Sequence, residues 1–118
     1  MPGHLSTHVL DTVAGRPAAG IRYRLYAIEG DQRRLMAEGE TNADGRAPAP
    51  LLTPATIRPG PYSLEYDVAD YHRRSGAALP DPPFLDIVTL RFNVSRVDQH
   101  YHVPLLLSPF GYTTYRGS

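Results

Sequence analysis

The 118-residue chain has no cysteine, no tryptophan and no lysine, and its formal net charge is zero. Without cysteine there can be no disulfide and no thiolate metal site, which fits a reducing compartment. All 12 cationic side chains are arginine, spread from Arg16 to Arg116 without a basic block. Nucleic acid is therefore not expected as a main partner, because phosphate recognition needs a clustered positive footprint. No apolar run approaches the roughly 18 residues of a membrane span. The opening "MPGHLSTHVLD" lacks the basic and then apolar pattern of a secretory leader. The expectation is a cytoplasmic protein with no membrane partner.

Turn residues, in contrast, are plentiful: 12 prolines and 10 glycines break up short segments rich in Val, Ile, Leu, Tyr and Thr. That rhythm reads as all-β, with little helix. A hydrophobic share of 42% beside a charged share of 20% is globular. A chain of this length buries roughly two-thirds of its unfolded surface, enough for one core, and residues 1–118 read as a single domain. Alternation predicts strands over Leu5 to Asp11, Ile21 to Glu29, Arg34 to Thr41, Tyr62 to Val68, Phe84 to Ser95, Tyr101 to Leu107 and Thr113 to Tyr115. "VAGRPAAG" reads as a turn, and Asn42, Asp44 and Gly45 of "TNADGR" are what a tight turn wants. One short helix is expected, with Asp67 as N-cap, Asp70 in the first turn, Arg73 and Arg74 in the last, and Gly76 just beyond. Seven or eight strands and one short α-helix give a two-sheet antiparallel β-sandwich.

Chemistry, if any, falls to histidine and arginine. In "HYHVPLLL" the period of two separates His100, His102, Pro104 and Leu106 from Tyr101, Val103, Leu105 and Leu107. The second set belongs to the core. The first is outward yet half apolar, so a ligand or another subunit should cover it. In the first strand Ser6, His8 and Leu10 share one side, and Leu5, Thr7 and Val9 the other. A zinc reading of His100 and His102 is weak: Asp98 is the nearest third ligand and its spacing does not match. The plain readings are a hydrogen-bonding strand residue for His8, a solvated turn residue for Arg46, and no functional role for His4 and His72. Against these stands an imidazole's capacity to move protons near neutral pH.

"LSTHVLD", "TNADGR", "YHVPLLLSPFGY" and the terminal "YRGS", in that order and spacing, together resemble the 5-hydroxyisourate hydrolases of the transthyretin-related family from Leu5 to Ser118. The resemblance implies a transthyretin-like sandwich assembled as a homotetramer, a dimer of dimers around a channel. It implies hydrolysis of 5-hydroxyisourate to 2-oxo-4-hydroxy-4-carboxy-5-ureidoimidazoline in urate degradation, part of purine catabolism, with no cofactor and no metal. It also implies His8, Arg46, His102 and Ser118 as catalytic residues, and His8, Arg46, Tyr115 and Arg116 as substrate-binding residues. Thr113 stands where serine is commoner in the family, and "ALPDPPFLDIVTLRF" departs from its pattern. The competing expectations are a transthyretin-like small-molecule carrier without catalysis, and a plain interaction module. Deleting Tyr115 to Ser118 would leave only the module unaffected, and an extension past Ser118 should cost activity more than stability.

Overall fold

A computed structural model describes residues 2–117. The elements run β1 (His4–Asp11), β2 (Arg16–Pro17), β3 (Arg22–Glu29), β4 (Gln32–Glu40), β5 (Gly60–Asp67), α1 (Val68–Arg74), β6 (Ile87–Val94), β7 (His100–Ser108) and β8 (Gly111–Thr114). They form two four-stranded sheets, ordered β2-β1-β7-β8 and β4-β3-β5-β6. The expected sandwich with one short helix is what the chain builds. No helix among the described residues is long and apolar enough to cross a membrane.

The strands β1, β3, β5, β6 and β7 supply buried residues to one core, mostly at alternate positions. Leu5, Val9, Tyr101, Val103, Leu105 and Leu107 come from the first sheet, facing Tyr23, Leu25, Tyr62, Leu64, Tyr66 and Leu90 from the second. The inward position of Thr7 is polar and is fully satisfied. Its hydroxyl donates to the Val103 carbonyl at 2.7 Å, so the Tyr66 hydroxyl, 2.6 Å away, must donate to it. Thr7 thus links β1 to β7 within its sheet and to β5 across the core, and burial raises the Tyr66 pKa.

Every strand pair is antiparallel except β1 with β7, which run parallel in register from His4↔His100 to Asp11↔Leu107. A parallel neighbour requires a long crossover. Here the chain completes the whole second sheet between the two strands.

Three local expectations are refined. Within "VAGRPAAG" the turn is tight enough for Arg16–Pro17 to return and pair with β1. Asp67 stands at the helix N-cap but makes no side-chain cap; its carboxylate instead takes the Arg24 guanidinium at 2.8 and 3.3 Å. The Asp86 carbonyl satisfies the first helical N–H groups, accepting from Val68 and Ala69 at 3.1 Å each. That also explains why β6 starts at Ile87 rather than Phe84: the backbone before it is occupied by the helix.

His72, which reads as functionally bland, is 2% exposed on α1, and its Nε2 has no hydrogen-bond partner. Burial lowers its pKa, only partly offset by the Asp11 carboxylate and the Ser108 carbonyl. Below an ordinary histidine pKa of about 6.5, the unfolded chain takes up a proton that the native state resists. Stability from this group is therefore complete above that pH and declines as pH falls. The melting temperature of the parent should drop between pH 8 and pH 5.5. His72→Phe should flatten that drop without abolishing it, since His100 and His102 also have lowered pKa values. Identical pH dependence of the two melting curves would refute the assignment.

Candidate functional site

The parallel β1/β7 register puts the outward residues of both strands side by side: His4 with His100, Ser6 with His102, His8 with Pro104 and Leu10 with Leu106. The His4 and His100 rings stack at 3.9 Å between centroids, 11° from parallel. Ser6 sits between two imidazoles, its Oγ 2.8 Å from His100 Nε2 and 2.8 Å from His102 Nδ1. His102 is half-buried and His100 exposed.

Arg46 joins this face through an isolated antiparallel bridge with His8. The tight turn behind it is held by Asn42, whose side-chain oxygen accepts from the Asp44 and Arg46 N–H groups. Gly45, at φ +74°, lets that turn lie flat on β1: its carbonyl accepts the Val9 N–H at 2.8 Å, and a Cβ here would stand 2.4 Å from the Val9 carbonyl oxygen.

The C-terminal segment reaches the same face from the other side. Gly117 donates its N–H to the His102 carbonyl at 2.7 Å, and a Cβ on it would lie 2.7 Å from His102 Cδ2. The residue before the terminal serine must therefore be glycine for the tail to lie against the imidazole. β8 ends at Thr114, paired with Leu105, and Gly117 pairs with His102 in the same register, so Tyr115 lies level with Pro104, where it lines a groove with Tyr101 and Tyr112. Arg116 falls on the inner side. Its guanidinium stacks 4.1 Å over the Tyr101 ring and donates to Gln99 Oε1 and the His100 carbonyl. Arg116 thus pins the tail to β7 while Tyr115 is 59% exposed. Ser118 lies outside the described residues.

The electrostatics favour neutral imidazoles. Burial lowers the His102 pKa, and the positive charges of Arg46, His100 and His8 lower it further. Burial, His4 and Arg116 do the same to His100. At neutral pH His102 is therefore an uncharged ring with a lone pair to offer, beside a permanent cation. The strand's one carboxylate, Asp11, points inward. Burial would raise its pKa, but the Ala14 N–H, the Tyr71 hydroxyl and the Val13 N–H outweigh that and hold it low. Asp98 is bound to Arg96 at 3.0 Å rather than to the histidines. Among the described residues no group of three or more His, Cys, Asp or Glu is placed to hold a metal ion.

The structure brings together His8, Arg46, His100 and His102, which the sequence singles out, and adds Ser6, His4 and Gly117. Of these Ser6 has the most consequence. Its signal in the sequence is the period of two, which places it on the side of His8; its partner strand is not legible there. The histidine face is an open sheet surface, flanked by half-buried Leu10 and Leu106. A groove of about 350 Å³ runs between the edges of β6 and β8, lined by Phe92, Tyr101, Val103, Tyr112 and also by Tyr115 and Arg116, without His8, Arg46 or His102.

Residues 5–117 match the model of the HIUase/Transthyretin family. The chain is 54% identical to 5-hydroxyisourate hydrolase 2 of Rhizobium meliloti (strain 1021), over 98% of this chain and 97% of that one. Among solved structures it is similar to (S)-allantoin synthase, with a TM-score of 0.93 and 38% identity, covering 99% of this chain and 44% of that one. It is also similar to 5-hydroxyisourate hydrolase of Klebsiella pneumoniae, with a TM-score of 0.79 and 33% identity over 98% of this chain and 94% of that one.

Proposed function

The chain belongs to the HIUase/transthyretin family and hydrolyses 5-hydroxyisourate; from that premise we propose that His8, Arg46, His102 and Ser118 carry the reaction, by direct attack of water. The observation that carries this reading is the half-buried His102, its pKa lowered, on one face with His8 and Arg46.

Opening the ring requires a nucleophile at an amide-like carbonyl, and neutral water attacks too slowly until a base begins to take its proton. His102 is that base. Its Nδ1 is occupied by Ser6, so Nε2 is the nitrogen free to accept. Arg46 binds the substrate's oxygens and stabilises the negative charge that develops on the attacked carbonyl. His8, opposite Pro104 in the register, returns a proton to the leaving ring nitrogen together with the Ser118 hydroxyl. Tyr115 and Arg116 frame the substrate, Arg116 by holding the tail in place. The product is 2-oxo-4-hydroxy-4-carboxy-5-ureidoimidazoline, and no cofactor takes part.

A homotetramer is part of the same reading. The histidine face on one chain is an open surface bordered by leucines, and a second copy laid over it would exclude water and enclose the substrate. A cytoplasmic location goes with it, supported by the absence of cysteine. The carrier reading is the poorer fit, because an apolar ligand would meet imidazoles and a guanidinium on this face.

The deciding experiment is an ultraviolet time course of freshly generated 5-hydroxyisourate with and without the protein. Decay faster than the spontaneous rate, in proportion to protein concentration, is the expected result. An unchanged rate would overturn the reading.

A further inference from the structure

Ser6 holds two imidazole nitrogens with a single hydroxyl, and a hydroxyl has one proton to give. Both contacts are 2.8 Å. The hydroxyl can give its proton to only one of these nitrogens, while its oxygen can accept from either, so at least one of the two must carry a proton and donate to Oγ. The tautomers of His100 and His102 are therefore coupled through Ser6: where one of these nitrogens is bare and takes the hydroxyl proton, the other must be protonated. From this geometry we propose that Ser6 is a positioning residue that keeps His102 protonated on Nδ1, with its own proton given to His100 Nε2, so that the Nε2 lone pair of His102 is free for water.

This rests on the reading of His102 as the base. The opposite arrangement, Ser6 donating to His102 Nδ1, would place the proton on Nε2 and leave nothing there to accept one. The surroundings supply the rest of the constraint. Parallel pairing sets Ser6 directly opposite His102. Stacking on His4 at 3.9 Å fixes the His100 ring plane, and the Gly117 backbone closes the far edge of the His102 ring. With both rings held, the hydroxyl proton can go to one ring or the other, and which ring receives it sets what His102 can do. Among the described residues no carboxylate is hydrogen-bonded to either imidazole, which distinguishes the device from the usual imidazole oriented by an aspartate.

The test uses Ser6→Ala and Ser6→Thr in the full chain, assayed by the decay of 5-hydroxyisourate, with nitrogen-15 NMR of the histidine rings. In the parent His102 should show the Nδ1–H tautomer and His100 the Nδ1–H tautomer with an accepting Nε2. Ser6→Ala should lower kcat about tenfold with KM changed less than about twofold, and His102 should become a tautomer mixture while the melting temperature stays near that of the parent. Ser6→Thr, which restores the hydroxyl on a strand that tolerates β-branching, should recover both the rate and the tautomer. An Nε2–H tautomer at His102 in the parent, or an unaltered kcat in Ser6→Ala, would overturn the proposal. Full activity in His102→Asn would instead overturn the reading it rests on, so the two failures are distinguishable.

Discussion

His102→Asn should lower the protein-dependent rate of 5-hydroxyisourate decay by about a hundredfold or more, within the range expected for loss of a general base. Asparagine keeps a polar group near Ser6 and the β7 backbone intact, so the bridge to Gly117 and the fold should survive. The pH profile adds a second readout. Because burial and then the Arg46, His100 and His8 charges lower the His102 pKa, the acid limb of kcat/KM in the parent should fall below the ordinary histidine value of about 6.5. Arg46→Ala removes the charge that most lowers this pKa, so whatever activity remains should show its acid limb at a higher pH, besides a loss of at least about tenfold from weaker stabilisation of developing charge. An acid limb that stays in place when Arg46 is removed would mean the guanidinium does not act on this imidazole.

Gly45→Ala should be nearly as damaging, through the backbone. At φ +74° a non-glycine residue is strained by roughly 1–3 kcal/mol. A Cβ 2.4 Å from the Val9 carbonyl oxygen and 3.1 Å from Pro17 Cβ adds overpacking of about 1–3 kcal/mol against main chain that cannot step aside. The variant should melt roughly 10 °C or more below the parent. It should also lose most activity in the material that remains folded, because the turn can relieve the clash only by lifting Arg46 away from His8. Normal melting and normal rates together would show that the turn has room not apparent in its packing.

Much of the fold was legible because β-strands announce themselves locally. The alternation in Ile21 to Glu29 and in "HYHVPLLL" separated inward from outward residues, with Pro104 of the outward set nonetheless buried, since a period of two leaves no other way to bury the apolar half. The helix was found by Asp70 in its first turn, Arg73 and Arg74 in its last and Gly76 beyond it, but the assignment of Asp67 as a capping side chain missed its use by Arg24. A side chain with two possible partners, one local and one across a sheet, is not decided by neighbouring residues. The same holds for the site. His8, Arg46 and His102 could be singled out by residue type and by resemblance, whereas Ser6 could not. Its importance depends on a strand pairing between the two ends of the chain.

What the sequence by itself determined is therefore what local chemistry determines. Composition excluded disulfides, thiolate metal sites and a basic nucleic-acid surface, periodicity marked the strands and their faces, turn residues marked the reversals, and the motifs marked the family. Only the tertiary structure decided which outward faces meet. The parallel pairing of β1 with β7 aligns Ser6 with His102 and His4 with His100, the flat turn at Gly45 brings Arg46 to His8, and Gly117 lies against the imidazole because it has no side chain. The physical reason is that register between distant strands is set by the whole packed core and by its inter-sheet link from Thr7 to Tyr66. Those are contacts that no short stretch of residues contains.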